Sequence, residues 1–421
     1  MTGRHGSRTA DHRVPVVDDA AVDLSRIDLD VPGVLETMLE AADARHPTSI
    51  GFPAATDIDY SPILPFFATL WNNLGDPHTH FPFLNTKPAE RAVVRWFGDL
   101  LGLPAHDQWG YVTGGGTEGN EAGLLAARER HPFAVAYYSD ASHFSIAKVL
   151  KKLQIPAVRV QTDAWGEMDY NHLDDCLARN RHRPAIVVAN AGTTMTEAVD
   201  DTARISDLLR ANAIPSCHVH VDAALSGIPL ALDGKLRLVP GQVDSVVVSG
   251  HKFFATPIPS GLVMMRRATH IPGQHIEYTT TLDTTVAGSR CGQAAVMLWY
   301  AIATYGADGH RDRARHARAV AQYTVDRLNT VGWPAWRHPD AFTVVFPTPG
   351  PDVTEKWLLA TQGMMSHTVC VPGVTTAQID AFAADIARAH SLQRASLNGH
   401  DEATVFIPQQ RFAASPPAIA P

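Results

Sequence analysis

A glycine-rich segment and a lysine are the features of this sequence that most directly indicate chemistry. The segment TGGGTEGN, residues 113–120, follows a predicted strand and opens a predicted helix. Three consecutive glycines allow a tight turn and a close approach to a ligand. The amides of the helix N-terminus favour an anion, and Thr117 adds a hydroxyl donor. The segment has neither the Gly-Lys-Ser/Thr of a Walker loop nor the pattern of a dinucleotide site. It predicts a phosphate site, and a plain glycine-rich connection is the alternative.

Asp222 and Lys252 each follow a predicted strand. An acidic residue at the carboxyl end of such a strand can bind a metal, a ribose or a protonated ring nitrogen, or can simply cap a helix. The small residues Ala223 and Ala224 leave room for a flat group. Lys252 lies among Gly, His and two Phe, where burial would lower its pKa and favour Schiff-base chemistry. The alternative is an ordinary surface lysine.

His143 and the pair Thr193 and Thr194 also follow predicted strands. Taken separately, His143 is better explained as a core histidine, and Thr193 and Thr194 as part of an ordinary polar loop. Together with the phosphate site, Asp222 and Lys252, they supply what pyridoxal phosphate (PLP) needs: a phosphate site, a group against the ring, a donor near its oxygen, a carboxylate and a lysine. The combination predicts a PLP site.

Alternating strands and helices are expected to position these residues. Short apolar runs predict seven strands, at residues 111–113, 134–138, 157–160, 185–189, 218–222, 245–248 and 262–265. Helical patterns at 118–130, 145–153, 171–180 and 202–213 separate most of them. This order predicts an α/β fold with a mostly parallel seven-stranded sheet and helices on both faces. The short link between the last two strands suggests an antiparallel pair.

Four regions are expected along the chain. Residues 1–75 form an N-terminal segment, flexible and then helical, and residues 76–290 form the large α/β domain. This domain begins with an amphipathic helix at 88–103. Residues 291–391 form a smaller α+β domain, in which helices are expected at 352–363 and 376–390, and residues 392–421 form a flexible tail.

Composition narrows the function further. The 421 residues carry a formal charge of -8 and no Lys/Arg-rich block, so no nucleic-acid partner is expected. The sequence predicts neither a membrane span nor a signal peptide. The four cysteines form no CxxC pair and have no zinc spacing, which predicts reduced thiols, no metal site and a cytoplasmic location.

The ordered motifs resemble fold-type I PLP enzymes, specifically the group II PLP-dependent amino acid decarboxylases. The resemblance is to the short branch with bacterial histidine decarboxylases and plant serine decarboxylases. It covers residues 51–380 through WGYVTxGGTEGN at 109–120, SHxS at 142–145, GEMDY at 166–170, NxGTTxxGAxDD at 190–201, HxDAALSG at 220–227, VSGHKxxxxPxPxG at 248–261 and GSRNG at 288–292.

The resemblance implies a role for each matching residue. Lys252 binds PLP as a Schiff base, Asp222 pairs with the ring nitrogen, and His143 stacks on the ring. Thr193 approaches the ring's oxygen side and Ala224 supports its other face. The phosphate is surrounded by Gly115, Gly116, Thr117, Ser249 and His251.

Four positions depart from the family motifs. Gly114 replaces Asn, Glu197 replaces Gly, Ser260 replaces Cys, and Cys291 replaces the Asn of GSRNG. The last change bears on substrate identity, because this segment is expected near the substrate pocket and the dimer partner. The residues predicted to line the substrate pocket are His80, Phe83, Ser289, Arg290 and Cys291, although His80 and Phe83 are better explained as packing residues.

The predicted activity is decarboxylation of an L-amino acid to its amine and CO2, with histidine the first substrate and histamine the product. Serine, or an aromatic or aliphatic amino acid, is the alternative substrate. Decarboxylation-dependent oxidative deamination, transamination and C–C cleavage are alternative reactions, and a non-catalytic PLP-binding subunit is a third possibility. The resemblance also implies a homodimer with its sites near the interface.

Overall fold

A computed structural model describes residue 19, residues 22–25 and residues 29–397. Most of the N-terminal stretch that was predicted to be flexible lies outside the described residues. Residues 398–421 of the predicted flexible tail lie outside them as well. None of the helices in the described part is both long enough and apolar enough to span a membrane.

A seven-stranded sheet forms the centre of the large domain. Its order is β1-β7-β6-β5-β4-β2-β3, and β7 alone runs against its neighbours. The seven predicted strands and the antiparallel last pair are therefore confirmed. The strands are β1 (Gln108–Thr113), β2 (Val135–Ser139), β3 (Ala157–Val160), β4 (Ala185–Asn190), β5 (Cys217–Asp222), β6 (Ser245–Ser249) and β7 (Gly261–Arg266).

Helices cover both faces of this sheet, as predicted. Successive residues of β4 alternate between the faces: Ile186 and Val188 pack with one set of helices, and Val187 and Ala189 with the other. The first set is α3 (Gly116–Arg130) and α4 (Phe144–Lys152). The second set comprises α2 (Lys87–Leu100), α5 (Tyr170–Arg179), α6 (Thr202–Ala211), α7 (Gly227–Leu232) and the first part of α8 (Gly292–Thr330).

The N-terminal segment contains α1 (Val31–Arg45) and 3-10 turns at His46–Thr48 and Ser61–Ala68. The link from β7 to α8 contains the 3-10 turn Arg267–Thr269 and the hairpin β8 (Gln274–Ile276) and β9 (Thr281–Asp283). Helix α8 is interrupted at Gly306, whose backbone has φ 60° and ψ -176°.

The smaller C-terminal unit contains a three-stranded antiparallel sheet of order β10-β12-β11. Its elements are β10 (Thr343–Pro347), α9 (Pro351–Lys356), β11 (Ala360–Gln362), β12 (Met365–Val369) and α10 (Thr376–Leu397). The helix predicted at 352–363 is wrong in its second half. Leu358 adopts φ 50°, which ends the helical path, and Gly363 at φ 60° forms the β11–β12 hairpin turn. Helix α10 continues six residues past the expected boundary at residue 391.

Helix α3 packs unusually close to the sheet because two of its residues are glycines. A Cβ at Gly119 would lie 1.9 Å from Val247 Cγ2, and one at Gly123 would lie 2.4 Å from the His220 ring. Both neighbours are buried in the sheet and have no room to move away. The glycines therefore set the distance between the helix and the strands that carry the site.

We predict that Gly119→Ala lowers the free energy of unfolding by about 1–3 kcal/mol, because the added methyl overpacks the contact with Val247. Helix propensity alone would raise the free energy of unfolding by about 1 kcal/mol, so a decrease would show that the packing effect dominates. Urea unfolding measures the change. Gly288→Ala is the control, since a Cβ there meets nothing within 4 Å and the change should stay within about 0.5 kcal/mol. A stabilised Gly119→Ala protein would contradict the prediction.

Candidate active site

A cavity of about 890 Å³ lies at the carboxyl ends of the central strands. Helices and loops after β1, β2, β4, β5 and β6 form its walls, as expected for an α/β sheet. All ten residues predicted to bind the cofactor line it: Gly115, Gly116, Thr117, His143, Thr193, Asp222, Ala224, Ser249, His251 and Lys252. The structure thus brings together residues that are spread over more than a hundred positions of the sequence.

Lys252 lies in the loop between β6 and β7. Gly250 N–H donates to Ser260 O at 2.8 Å, and the Thr256 and Ser260 hydroxyls are 2.7 Å apart, so both ends of the loop are tied together. The lysine carbonyl accepts from Ala55 N–H at 3.2 Å, which connects the loop to the N-terminal segment. This bonding fixes the lysine backbone and leaves its amine directed at the cavity that it lines.

The charge of Lys252 is disfavoured where it stands. Burial lowers the pKa of its ammonium, and the negative charges of Asp222 and Glu197 oppose this shift. Among the described residues, the hydrogen bonds include none from its Nζ. A lysine in these surroundings releases its proton more readily than a surface lysine, which suits a nucleophilic amine.

The start of α3 forms an anion site. Gly115 precedes the helix with φ 148°, a conformation that L side chains rarely adopt, and caps it without a side-chain hydrogen bond. At Gly116, a Cβ would lie 2.8 Å from Ser249 Oγ, so only glycine leaves this space open. The first amides of α3 and the hydroxyls of Thr117 and Ser249 surround that space, which fits a phosphate.

His143 is held as a neutral ring beside this space. It caps α4, and its Nδ1 accepts from Ser145 N–H at 3.3 Å and lies 2.8 Å from Ser145 Oγ. With Nδ1 acting as the acceptor, the ring proton is on Nε2. Burial lowers the pKa of His143, which keeps the ring uncharged at neutral pH. A neutral aromatic ring in a fixed orientation can stack on a flat cofactor.

Thr193, in the loop after β4, and Asp222, at the end of β5, line the cavity. The Thr193 hydroxyl accepts from Ala198 N–H at 3.0 Å and lies 2.9 Å from Thr196 Oγ1, so the loop itself holds it. Asp222 is buried, and its carboxylate accepts from Asn120 Nδ2–H at 2.9 Å. Each carboxylate oxygen keeps a lone pair with which it could accept from a ring nitrogen.

The five residues predicted to line a substrate pocket do not reach this cavity within one chain. His80 and Phe83 lie on the surface before α2. Ser289 Oγ accepts from Asn72 Nδ2–H at 3.1 Å, and Cys291 is an exposed residue that precedes α8. A role for these residues in binding substrate remains a prediction about the dimer.

Arg290 has a different setting from the other four. Its guanidinium is buried, pairs with the buried carboxylate of Glu90 and donates to Gly75 O at 2.9 Å and Val112 O at 3.1 Å. It also lies over the Tyr111 ring, 5.0 Å from the centroid. These contacts tie the segment before α8 to α2 and β1, so Arg290 supports the fold around the site.

Three of the four departures from the family motifs, Glu197, Ser260 and Cys291, do not line the cavity, whereas Gly114 does. Glu197 is buried and accepts from Ser226 Oγ–H at 2.8 Å, Phe342 N–H at 2.9 Å and Thr343 N–H at 2.8 Å. It therefore joins the loop after β4 to β10. Ser260 belongs to the Lys252 loop, and Gly114 N–H donates to Glu118 at 2.7 Å.

Several cavity residues were missed from the sequence. Phe52, Asn190, Thr343 and His367 line the cavity, and the last two come from the three-stranded sheet. The His367 ring is buried, with Nδ1 3.0 Å from Met195 O and Nε2 3.3 Å from Gly51 O. His367 lies between Ser366 and Thr368 on β12, so the sequence offered no distinct signal for it. Its distance in sequence from the motifs hid the connection.

A second cavity, of about 1080 Å³, adjoins the first at His143, Phe144 and Thr194. It extends past Arg159 towards the β11–β12 turn. Among the described residues that line it, none is a lysine, so it lacks the group that the predicted chemistry requires. The smaller cavity, with Lys252, is the candidate active site.

Comparison with known proteins identifies the family. The profile described as the pyridoxal-dependent decarboxylase conserved domain matches residues 85–332. The chain belongs to the pyridoxal-dependent decarboxylase family. It is 40% identical over 338 residues to a histidine decarboxylase of Mesorhizobium japonicum, covering 79% of this chain and 91% of that protein. It is 38% identical over 345 residues to a histidine decarboxylase of Acinetobacter baumannii, covering 80% and 90%.

The fold is that of solved PLP decarboxylases. The structure matches L-methionine decarboxylase from Streptomyces sp.590 with a TM-score of 0.82 and 24% identity, covering 89% of this chain and 98% of that one. The predicted fold class, fold-type I α/β, is confirmed. The protein is a PLP-dependent amino acid decarboxylase, and its cofactor is pyridoxal 5'-phosphate.

The residues around the cavity fit this cofactor. The open space beside Gly116 and the donors of Thr117 and Ser249 suit the phosphate, and Lys252, a half-buried residue that lines the cavity, suits covalent attachment. His143 presents a neutral ring to the cavity, and Asp222 presents a carboxylate. The individual roles stay proposals, and the complementarity of the set supports them.

We predict that Arg290→Met lowers the free energy of unfolding by about 3–5 kcal/mol, because it leaves the buried Glu90 carboxylate without its cation. Chemical unfolding of the purified decarboxylase measures this. The control is Arg210→Met, which removes an exposed ion pair with Asp207 and should change stability by less than about 1 kcal/mol. Unchanged stability with a raised KM for the amino acid would instead support the substrate role first predicted for Arg290.

Proposed function

We propose that this decarboxylase converts L-histidine to histamine and CO2. The observation that carries the substrate is the similarity to curated histidine decarboxylases, which are 36–40% identical over most of the chain. The cavity supports a small substrate, because about 890 Å³ must hold both the cofactor and the amino acid. Its remaining walls combine apolar Phe52 and Val369 with polar Thr343 and His367, which suits a side chain that is flat and polar.

Each group around the cavity has a proposed task. Bound PLP supplies a conjugated ring that accepts the electrons of the Cα–carboxylate bond as CO2 leaves. Lys252 would hold the cofactor through its amine. Asp222 would accept a hydrogen bond from the ring nitrogen and stabilise its positive charge. His143 and Ala224 would support the two faces of the ring and so fix the plane against which the substrate carboxylate is oriented.

The phosphate cradle, formed by Gly115, Gly116, Thr117, Ser249 and His251, fixes the other end of the cofactor. Burial lowers the pKa of His251, and its Nδ1 lies 3.1 Å from Ser260 O, so a neutral ring is oriented by the Lys252 loop. The same loop therefore positions a phosphate ligand and the attaching amine. This coupling supports the proposal that the cavity binds PLP in one orientation.

We also propose that the enzyme is a homodimer. Helix α1 buries none of its residues, and Leu35 and Leu39 are 55% and 68% exposed. Further apolar side chains are exposed in the segments that follow: Leu64, Phe67, Leu70, Phe83 and Leu84. An apolar surface of this extent on one chain is typical of a protein–protein interface. A second copy would cover it and would bring the segment of Ser289 and Cys291 near an interface.

A cytoplasmic location is proposed on chemical grounds. Cys176, Cys217, Cys291 and Cys370 are all unpaired thiols in the structure. Free thiols of this kind persist in a reducing compartment.

A panel of L-amino acids tests the substrate. We expect the PLP-loaded enzyme to release histamine and CO2 from histidine, with kcat/KM at least about tenfold higher than for serine, phenylalanine, tyrosine or leucine. Mass spectrometry identifies the amine. If another amino acid is the best substrate, it replaces histidine in the proposal. Release of aldehyde and peroxide in place of the amine would indicate oxidative deamination.

The matched control for this panel is Lys252→Ala. It should lose both turnover and the visible absorption of covalently attached PLP, because no other amine lines the described cavity. Turnover that persists in this variant, with the wild-type enzyme excluded, would contradict the assignment of Lys252.

We predict that the double variant Leu35→Glu/Leu39→Glu sediments at half the mass of the wild-type dimer, because four charges would be buried across the two copies of the interface. Analytical ultracentrifugation measures the mass. The control is Phe133→Glu, which places a charge at a residue that is 76% exposed and remote from α1. A wild-type monomer, or a double variant that stays dimeric, would refute this arrangement.

A further inference from the structure

A chain of buried polar residues leads from the interior of the sheet to Asp222. Asp222 Oδ2 accepts from Asn120 Nδ2–H at 2.9 Å, and Asn120 Oδ1 lies 2.9 Å from His220 Nε2. His220 Nδ1 lies 2.7 Å from Ser245 Oγ, which in turn lies 2.8 Å from His218 Nε2. The other four members of this chain, Asn120, His220, Ser245 and His218, are each at most 1% exposed. Such a set has no contact with bulk water and must satisfy its own hydrogen bonds.

The orientation of the Asn120 amide fixes the direction of every hydrogen bond in this chain. Its Nδ2–H donates to the Asp222 carboxylate, and its carbonyl faces His220. A carbonyl only accepts, so His220 carries its proton on Nε2. Burial lowers the pKa of His220 to about 3, so the ring is neutral and its Nδ1 must accept.

The same logic continues to the far end. The Ser245 hydroxyl has one proton, which it donates to His220 Nδ1. Its contact with His218 must then be donated by His218 Nε2–H, and burial lowers the pKa of this ring to about 3 as well. All four hydrogen bonds therefore point the same way, from His218 through Ser245, His220 and Asn120 to Asp222. Their dipoles add, and the positive end lies at the carboxylate.

The packing leaves room for this chain and for no larger group. A Cβ at Gly123 would lie 2.4 Å from His220 Nδ1 and 3.1 Å from Ser245 Oγ, so α3 can pass over His220 only with glycine at this position. Asn120 is in the same helix, one turn after the residues that form the phosphate cradle. One rigid element thus sets both the phosphate position and the donor to Asp222.

We propose that Asn120, His220 and Ser245 are positioning residues that keep Asp222 ionised and oriented towards the ring nitrogen of the bound cofactor. This inference rests on the proposed role of Asp222. The opposite direction of the chain would turn the Asn120 carbonyl towards Asp222, and that arrangement requires a proton on Asp222. The chain therefore favours the state in which the carboxylate is free to accept the proton of the ring nitrogen.

PLP labelled with ¹⁵N in the ring tests this directly. In the wild-type enzyme, the ring resonance should lie at the protonated position. In His220→Phe and in Ser245→Ala it should move towards the unprotonated position, because the negative charge of Asp222 is less stabilised and the shared proton then moves from the ring nitrogen to the carboxylate. We expect kcat to fall about ten- to a hundredfold in His220→Phe, which is typical when a residue that acts through another residue is removed. KM should change less than about threefold. The dissociation constant of PLP should change little.

Two variants make the outcome specific. His220→Gln should recover part of the kcat and of the ring resonance, because the Gln amide can donate to Asn120 and accept from Ser245. Ser206→Ala, which removes a buried hydroxyl that donates to Gly241 O at 2.8 Å far from the site, should leave both readouts unchanged.

A ring resonance that stays at the protonated position in Ser245→Ala and in His220→Phe would overturn the proposal. So would a loss of activity explained entirely by weaker PLP binding. The resonance is measured on the resting protein and needs no substrate. A wild-type enzyme that releases no amine would therefore count against the proposed function, while the resonance would still test the positioning chain.

Discussion

The close contact between α3 and the sheet is the constraint on which the rest of the site depends. Gly119 and Gly123 allow the helix axis to approach strands whose side chains would otherwise hold it away. That approach places the first turn of α3 at the phosphate cradle and Asn120 beside Asp222. A helix set farther out would move the phosphate cradle away from Asp222. It would also take the Asn120 amide out of reach of the Asp222 carboxylate.

The parallel direction of the strands explains why so many functional residues meet. Strands β1 to β6 run the same way, so the segments after β1, β2, β4, β5 and β6 all reach one edge of the sheet. Only β7 runs the other way, and the loop that joins it to β6 carries Lys252. A short connection is possible there because β7 is antiparallel to β6.

Buried charges connect the site to its surroundings at two further points. Arg290 and Glu90 join the start of α8 to α2, and Glu197 joins the loop after β4 to β10. The family that these motifs resemble has a glycine at the position of Glu197. In this chain the Glu197 carboxylate accepts hydrogen bonds from Ser226 and from Phe342. Because Thr343 lines the cavity and donates its hydroxyl to Glu197 at 2.6 Å, this contact also fixes part of the substrate wall.

The sequence by itself determined the strands, their order along the chain and the residues at their ends. Apolar runs and glycine-rich turns are local patterns, so the seven strands and the main parts of the cofactor site could be predicted from them, and the family resemblance added the remaining cavity residues, such as Ser249 and His251. The β11–β12 hairpin could not, because it replaces a helical pattern once Leu358 and Gly363 adopt positive φ. Tertiary structure alone decided that Arg290 is buried against Glu90, that His367 lines the cavity, and that Asn120 and His220 lead to Asp222. These contacts join residues far apart in sequence, and no local pattern records which distant side chain will satisfy a buried polar group.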